Sequence, residues 1–406
     1  MDTESKPYVS YTFNSADFGD NPNIIRHHYQ TNKAMYSIIN QDSQLLPDGD
    51  ITHRKFRSVI MTNEPTSSLL AFTPPKSITY ENFTELNPII TQNMLITEII
   101  EGTMVTLFYD PRIQSWEIAT KSAVSGEYFY FRTEYNNAEK TQPTFRLMFM
   151  DALRAAREDE LNDVAILSGL SKNYSYTFIL QHPENHIVLN IEHPELYLVA
   201  IYDISDKHAT AIPLPIFRNW SCFHYIGGII NFPLQYSVSP ATTYATLLGR
   251  HTSIQNDHSQ VGIMITNLET GHRCSLKNPT YINVHTLRGN NPNLLYHYLC
   301  LRHMDKVEEF VGYFPRYKKL FYGFYEQYMS FVKNVHQSYI EYYVMKTEQI
   351  ISGQYMSHIY KLHHSVYLPS LSSDTKIIIT KFVVLNYLNG LSPGKMLFAL
   401  NYPNSC

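Results

Sequence analysis

The sequence predicts an α+β body followed by an all-helical C-terminal domain, and two observations carry that expectation. Up to about residue 290, short β-branched and aromatic runs alternate with turn residues. Beyond it, Leu, Tyr and Lys recur at three-to-four spacing. At 406 residues, 44% hydrophobic and 17% charged, the chain has the make-up of a folded protein with room for two or three domains.

Residues 1–50 are polar and weakly periodic, and no structure is assigned to them. Strand-like runs then follow at 59–61 (VIM), 95–99 (LITEI), 104–109 (MVTLFY) and 116–118 (WEI). Residues 144–158 (TFRLMFMDALRAARE) carry apolar side chains at helical spacing, with Leu147, Met150 and Leu153 expected on one face. Strands return at 176–180, 186–191, 196–202, 261–266 and 272–277. Residues 293–345 read as several helices interrupted near Phe314-Pro315, and 370–374 as a loop before another helical run. Ser392-Pro393 has the pattern of an N-cap followed by proline at the first helical position. The expected division is a polar segment 1–50, a body 51–290 and a helical domain 291–406.

Composition excludes several function classes. A net charge of −4 offers no global basic field, so a nucleic acid site has to be a local patch. Thirty-two tyrosines supply apolar rings with polar tips, which suit cores, interfaces and base stacking alike. Cys222, Cys274, Cys300 and Cys406 show no C-x-x-C spacing, which argues against a zinc ribbon or disulfide framework and suits a reducing compartment. The first residues lack a secretory pattern, and the longest apolar run, 377–388, is interrupted by Lys381 and too short for a bilayer. The expectation is an intracellular, cytoplasmic protein with no membrane partner. Adjacent pairs His27-His28 and His363-His364 diverge, and Pro183 breaks the helix that would align His182 with His186, so no metal site is expected. There is no P-loop and no G-x-S-x-G elbow.

The most informative stretch is 97–104 (TEIIEGTM). Its Glu101-Gly102 pair resembles the end of the Lys-x-Asp/Glu-Gly motif of covalent nucleotidyltransferases, but Ile99 stands where the lysine attacks the nucleotide α-phosphate. Isoleucine has no lone pair, so the change removes that chemistry rather than slowing it.

Further pieces follow in one order. They are Arg57-Ser58-Val59-Ile60, the segment 74–83 (PPKSITYENF), 104–109, 116–122 (WEIATKS), 176–188 (YTFILQHPENHIV), 261–264 (VGIM) and 275–281 (SLKNPTY). Together they resemble the ATP-dependent RNA ligases of the bacteriophage end-joining type and their relatives in large DNA viruses. The resemblance implies a nucleotidyltransferase (ATP-grasp-like ligase adenylation) domain followed by a helical domain. It also implies a virus-encoded chain acting in the host cytoplasm or the virion.

Where the family is reactive, this sequence departs. Ile99 stands at the nucleophile and Ile179 at a nucleotide-contacting glutamate. His186 replaces an arginine, Val261 a metal-holding carboxylate, and Ser275 the lysine that neutralises the α-phosphate. The resemblance leaves Arg57, Lys76, Glu101, Gly102, Lys121, Asn185 and Lys277 as nucleotide- or phosphate-binding candidates. ATP and Mg are implied as cofactors only if activity is retained. Lys76 lacks a following acid-Gly pair, and Lys121 lies in a segment that contacts the nucleotide rather than attacking it.

The stretch 314–325 (FPRYKKLFYGFY) interleaves basic and aromatic residues, which marks Arg316, Lys318 and Lys319 as RNA-contact candidates. An amphipathic helix with buried aromatics and solvated lysines explains the same pattern. The favoured reading is a ligase-like protein without autoadenylylation that binds RNA ends, a nucleotide or a protein partner. Two others stay open: a working RNA ligase with a relocated lysine, and a structural or virion-associated scaffold.

Overall fold

The computed structural model describes residues 8–14, 21–42, 52–63, 67–128, 143–154, 165–224, 229–348, 350–372 and 376–402. The described residues divide by contacts into one unit up to Thr286 and a second from Leu287.

The first unit is mixed α and β. Its elements begin with β1 (Ser10–Thr12), β2 (Ile24–Gln30), β3 (Met35–Gln41), β4 (Val59–Thr62), β5 (Leu69–Ala71) and α1 (Tyr80–Leu86). They continue through β6 (Met94–Glu98), β7 (Thr103–Asp110), β8 (Ser115–Ala119), α2 (Phe145–Ala152), α3 (Ala165–Ser168) and β9 (Tyr174–Gln181). Next come β10 (Glu195–Ser205), β11 (His208–Ile212), α4 (Leu214–Phe217), α5 (Ser221–His224), β12 (Ile230–Asn231) and β13 (Gln235–Tyr236). The run ends with α6 (Tyr244–His251), β14 (Gly262–Asn267), β15 (Arg273–Lys277) and α7 (Pro279–Arg288), within which the division falls.

Three sheets organise this unit. A seven-stranded sheet runs β1-β11-β10-β9-β7-β8, with β12 added parallel to β10. A four-stranded sheet runs β13-β6-β14-β15, and another β2-β3-β4-β5. The strands β1, β2 and β3 fall in residues 1–50, where the sequence reading assigned none. β2 is largely exposed, so its polar face hid the strand pattern.

Alternation sets each sheet's two faces. In β6, β14 and β15, Ile96, Ile263, Ile265, Cys274 and Leu276 turn into a core shared with Phe83 of α1 and Leu247 of α6. On the larger sheet, α2 covers β9 and β10, and Phe149 meets Phe178 at 5.7 Å. Thr144 caps α2 by accepting the Leu147 amide at 3.2 Å. Met150 and Leu153 are buried as the helical spacing requires, while Leu147 is only half-buried.

The strand expected at 186–191 is absent. The structure has bends there, because the amides that a ladder would use are taken by a side chain described below. Among its described residues, the second unit contains helices and no strand: α8 (Leu294–His303), α9 (Val307–Tyr313), α10 (Lys318–Tyr339), α11 (Gly353–Lys361), α12 (Leu368–Ser370), α13 (Lys381–Asn389) and α14 (Pro393–Leu400). A single 3₁₀ turn, Pro315–Tyr317, makes the break near Phe314. Ser392 occupies the N-cap of α14 with Pro393 behind it, but its side chain makes no capping bond. Among the described residues, no helix is long and apolar enough to cross a membrane.

Candidate functional site

β6 ends at Glu98 and β7 begins at Thr103, so Ile99, Ile100, Glu101 and Gly102 carry the chain from the four-stranded sheet into the seven-stranded one. The Ile99 amide still donates to the Gly262 carbonyl at 2.9 Å, extending the β6–β14 register. Glu101 then turns inward and is buried. Its Oε1 accepts the backbone amides of Ile187 at 3.1 Å, Val188 at 2.9 Å and Leu189 at 3.1 Å. Three amides converging on one carboxylate oxygen fix the 186–190 loop and remove those donors from any ladder. Gln181 Nε2 donates to the Glu101 carbonyl at 2.8 Å, holding the same turn from its other side. Gly102 has φ +154°, and a Cβ there would lie 2.5 Å from the Leu180 carbonyl oxygen and 2.6 Å from Ile179 Cγ2. Only glycine lets the crossover pass so close to β9.

A cavity of about 510 Å³ lies between these two sheets. Strand alternation supplies its walls: Leu95, Thr97 and Ile99 from β6 and its end, Met264 and Thr266 from β14, and Arg273, Ser275 and Lys277 from β15. Arg57 enters from the turn before β4. There Ser58 adopts φ +56° and is fixed by Asn40 Oδ1, which accepts its amide at 2.8 Å, and by its own hydroxyl donating to the Thr120 carbonyl at 3.0 Å.

The cavity gathers Arg57, Glu101, Gly102 and Lys277. Four of the five departed motif positions, Ile99, Ile179, Val261 and Ser275, line it too, while His186 does not. Other candidates lie elsewhere. Asn185 donates to Thr103 Oγ1 at 2.7 Å, and Lys76 and Lys121 are exposed and outside the lining.

Among the lining residues that the sequence does not mark as site candidates are Tyr11, Tyr202 and Arg273. The signal for Arg273 was present, since it precedes Ser275 and Lys277 by two and four places on one strand face. Tyr11 lies on β1, within the polar and weakly periodic segment 1–50.

Three cations, Arg57, Arg273 and Lys277, and two acids, Glu98 and Glu101, line this cavity. Burial first, and the nearby charge of Arg273 second, hold the Arg57 guanidinium down to about 10. Burial likewise lowers Arg273, while the phenols of Tyr202 and Tyr11 oppose that shift. Tyr11 is pushed up to about 12 by burial, against the pull of Arg273. Tyr281 is raised by burial and by the neighbouring Glu101 carboxylate.

The donor set does not fit a metal. The two acids in the lining are Glu98 and Glu101. Oε1 of Glu98 accepts the Leu234 amide at 2.7 Å, and Oε1 of Glu101 is taken by three amides, which leaves the buried Oε2 of Glu101 without a hydrogen-bond partner as one candidate donor. Among the described residues no His, Cys or Asp lines the cavity, and Ile99, Ile179 and Val261 present hydrocarbon. Among the described residues, no three His, Cys, Asp or Glu side chains come together as a metal site.

In the helical unit, Phe321 and Phe324 of α10 are buried, while Arg316, Lys318 and Lys319 are exposed. That is the distribution of an amphipathic helix packing its aromatic face inward. Tyr322 and Tyr325 remain exposed on the same helix, their ring centroids 6.2 Å apart.

No family model matches the chain. It is similar to an RNA ligase of Rhodothermus phage RM378, 22% identical over 214 residues, which covers 48% of this chain and 46% of the phage protein. The chain thus matches about half the length of that curated protein. Among solved structures it shows a loose likeness to a mutant of Naegleria gruberi RNA ligase with ATP and Mn, with a TM-score of 0.38, 12% identity, and 61% and 64% of the two chains covered. An apo form designated R4a of the same ligase gives a TM-score of 0.38 and 11% identity, over 69% and 85% of the two chains. Scores this low carry no argument about activity.

Proposed function

We propose that this chain is an RNA-ligase-like protein that binds a phosphate-bearing nucleotide or RNA end without forming a covalent nucleotide adduct. One observation carries the reading: Ile99, Ile179 and Val261 all face a single cavity whose charged side chains are mainly cations. Nucleotidyl transfer needs a nucleophile at the α-phosphate and charge stabilisation around it. The hydrocarbon positions supply neither. One oxygen of the neighbouring Glu101 carboxylate is committed to holding a loop. Lys76 and Lys121, the lysines that a relocated mechanism would recruit, are exposed and outside the lining. The similarity to a phage RNA ligase supports RNA as the ligand class.

The test is incubation with α-labelled ATP and Mg or Mn, followed by denaturing electrophoresis. No protein-bound label is expected. An acid-labile AMP adduct would sink the proposal, and Lys→Gln changes at Lys76, Lys121 and Lys277 would then locate the nucleophile. Binding to 5′-phosphorylated RNA at low salt, weakening steeply as salt rises, is the expected positive result. A purely structural scaffold would show no such binding.

A further inference from the structure

Arg57 and Arg273 are two cations of the first unit on which no carboxylate acts. They reach the same cavity from different sheets, Arg57 from the turn ahead of β4 and Arg273 from the first position of β15. Each lies close enough to the same phenol, Tyr202, for their charges to act on it. Among the described residues the Arg57 guanidinium has no hydrogen-bond or ion-pair partner. Arg273 makes one long bond, from Nη1 to the Pro75 carbonyl at 3.3 Å.

Two guanidinium groups part-buried together without a counter-ion repel one another and lose hydration. Proteins ordinarily balance such a pair with an acid. Here the space beside it is filled by aromatic and aliphatic side chains and the open cavity. Tyr11 and Tyr202 stand with their rings 6.3 Å apart. Gly271, at φ +72°, is bare where the Tyr11 hydroxyl packs against it, so any other residue there would push that phenol aside. Both phenols keep their protons at neutral pH and offer O–H donors.

We propose that Arg57 and Arg273, with the hydroxyls of Tyr11 and Tyr202, form a binding site for a phosphate group carrying two negative charges. Guanidinium forks match phosphate oxygens in pairs, and a dianion offsets both charges where a single carboxylate would offset one. Arg273 is the new member, and its partner Arg57 comes from a distant part of the chain. The proposal deepens the binding reading above, because it says which end of the ligand the cavity holds. The phosphate can belong to a free nucleotide or to an RNA terminus.

The test uses the full chain and isothermal titration at low salt. The probes are inorganic pyrophosphate, ATP, and a short oligoribonucleotide with either a 5′-phosphate or a 5′-hydroxyl. Wild type is expected to bind pyrophosphate, and Arg273→Gln and Arg57→Gln are each expected to weaken it at least about tenfold. Lys333→Gln, an exposed cation of α10 that belongs to none of the candidate sets, serves as the control and is expected to bind as wild type does. A preference for the 5′-phosphate over the 5′-hydroxyl RNA assigns the phosphate to an RNA end, and tighter ATP binding assigns it to a free nucleotide.

Thermal unfolding separates a binding role from a structural one. Without ligand, Arg273→Gln is expected to melt no lower than wild type, because the change removes a repulsion, while the stabilisation given by pyrophosphate is lost. Pyrophosphate binding unchanged in both arginine variants, or no binding of any probe by folded wild type, overturns the proposal. An AMP adduct in the labelling assay would overturn the non-reactive reading alone and leave this site standing.

Discussion

Glu101 and Val188 are joined by a 2.9 Å bond from the Val188 amide to Oε1 of a carboxylate that is only 6% exposed. With the Ile187 and Leu189 amides on the same oxygen, one side chain fixes the loop that follows β9. The acid of the Glu-Gly pair therefore has a structural task, whatever else it does.

That arrangement predicts the effect of Glu101→Ala. Three amides would lose a charged acceptor, and the expected destabilisation is at least about 3 kcal/mol, given about 1–3 kcal/mol for each buried donor left unpaired. Glu101→Gln keeps an acceptor oxygen without the charge, so its loss should be smaller, roughly half. Urea unfolding midpoints of the full chain check this. Equal stability of Glu101→Ala and wild type would remove the structural role.

Gly102 is expected to tolerate no side chain. In Gly102→Ala the new carbon would meet the Leu180 carbonyl at 2.5 Å, so β7 and β9 would have to separate at their first pair, Thr103 with Leu180. The expected loss is about 2 kcal/mol or more. Faster amide exchange in β7 than in α2 would place the damage at the crossover, and unchanged exchange there would contradict it.

Much of this fold is legible in the sequence, and the exceptions have physical causes. Runs such as Val59-Ile60-Met61 and Met104-Val105 announce strands because short, continuous β-branched and large apolar runs suit strands buried on both faces. β2 does not announce itself, because His27, His28 and Gln30 face outward and dilute its pattern. Residues 186–191 carry a strand-like composition, yet Glu101 claims their amides from far away in the sequence, and no local window contains that information. The cavity was half visible. The motif positions Ile99, Ile179, Val261 and Ser275 converge on it, and β15's alternation pointed at Arg273. The approach of Arg57 to Arg273 required the tertiary structure.

Restoring one lysine is not expected to restore chemistry. Ile99→Lys would place an amine in the cavity beside Arg57 and Arg273, which disfavour protonation of that amine and in that respect favour attack. The carboxylate oxygens to hold a metal are still too few, since Val261 and Ile179 offer none and Glu101, whose Oε1 is occupied, has only its buried, unpartnered Oε2 to give. Labelled ATP with Mg is expected to give no adduct in Ile99→Lys, as in wild type. Adduct formation by this single variant would show that the remaining site supports catalysis and that the nucleophile alone was lost.

The helical unit is expected to lose stability in mild acid through His297. This residue of α8 is 8% exposed, and its ring sits 5.2 Å from that of Phe310. Burial first, and the Arg288 charge second, lower its pKa from the ordinary 6.5 to about 4, with the Leu287 backbone pulling the other way. Above pH 6.5 the imidazole is neutral in both folded and unfolded chains, and its contribution to stability is complete. Between 6.5 and about 4 the unfolded chain takes up a proton that the folded chain refuses, so stability falls as pH falls. The slope then levels off below about 4. At about 1.4 kcal/mol per pH unit the ceiling is about 3 kcal/mol. His358, also lowered to about 4 by burial and then by Lys361, titrates in the same window. Amide exchange of α8 measured from pH 7 to 4 should report the loss, and His297→Leu should flatten part of it while His358 retains its share. An α8 whose protection is independent of pH over that range would show that His297 is not held neutral by its burial.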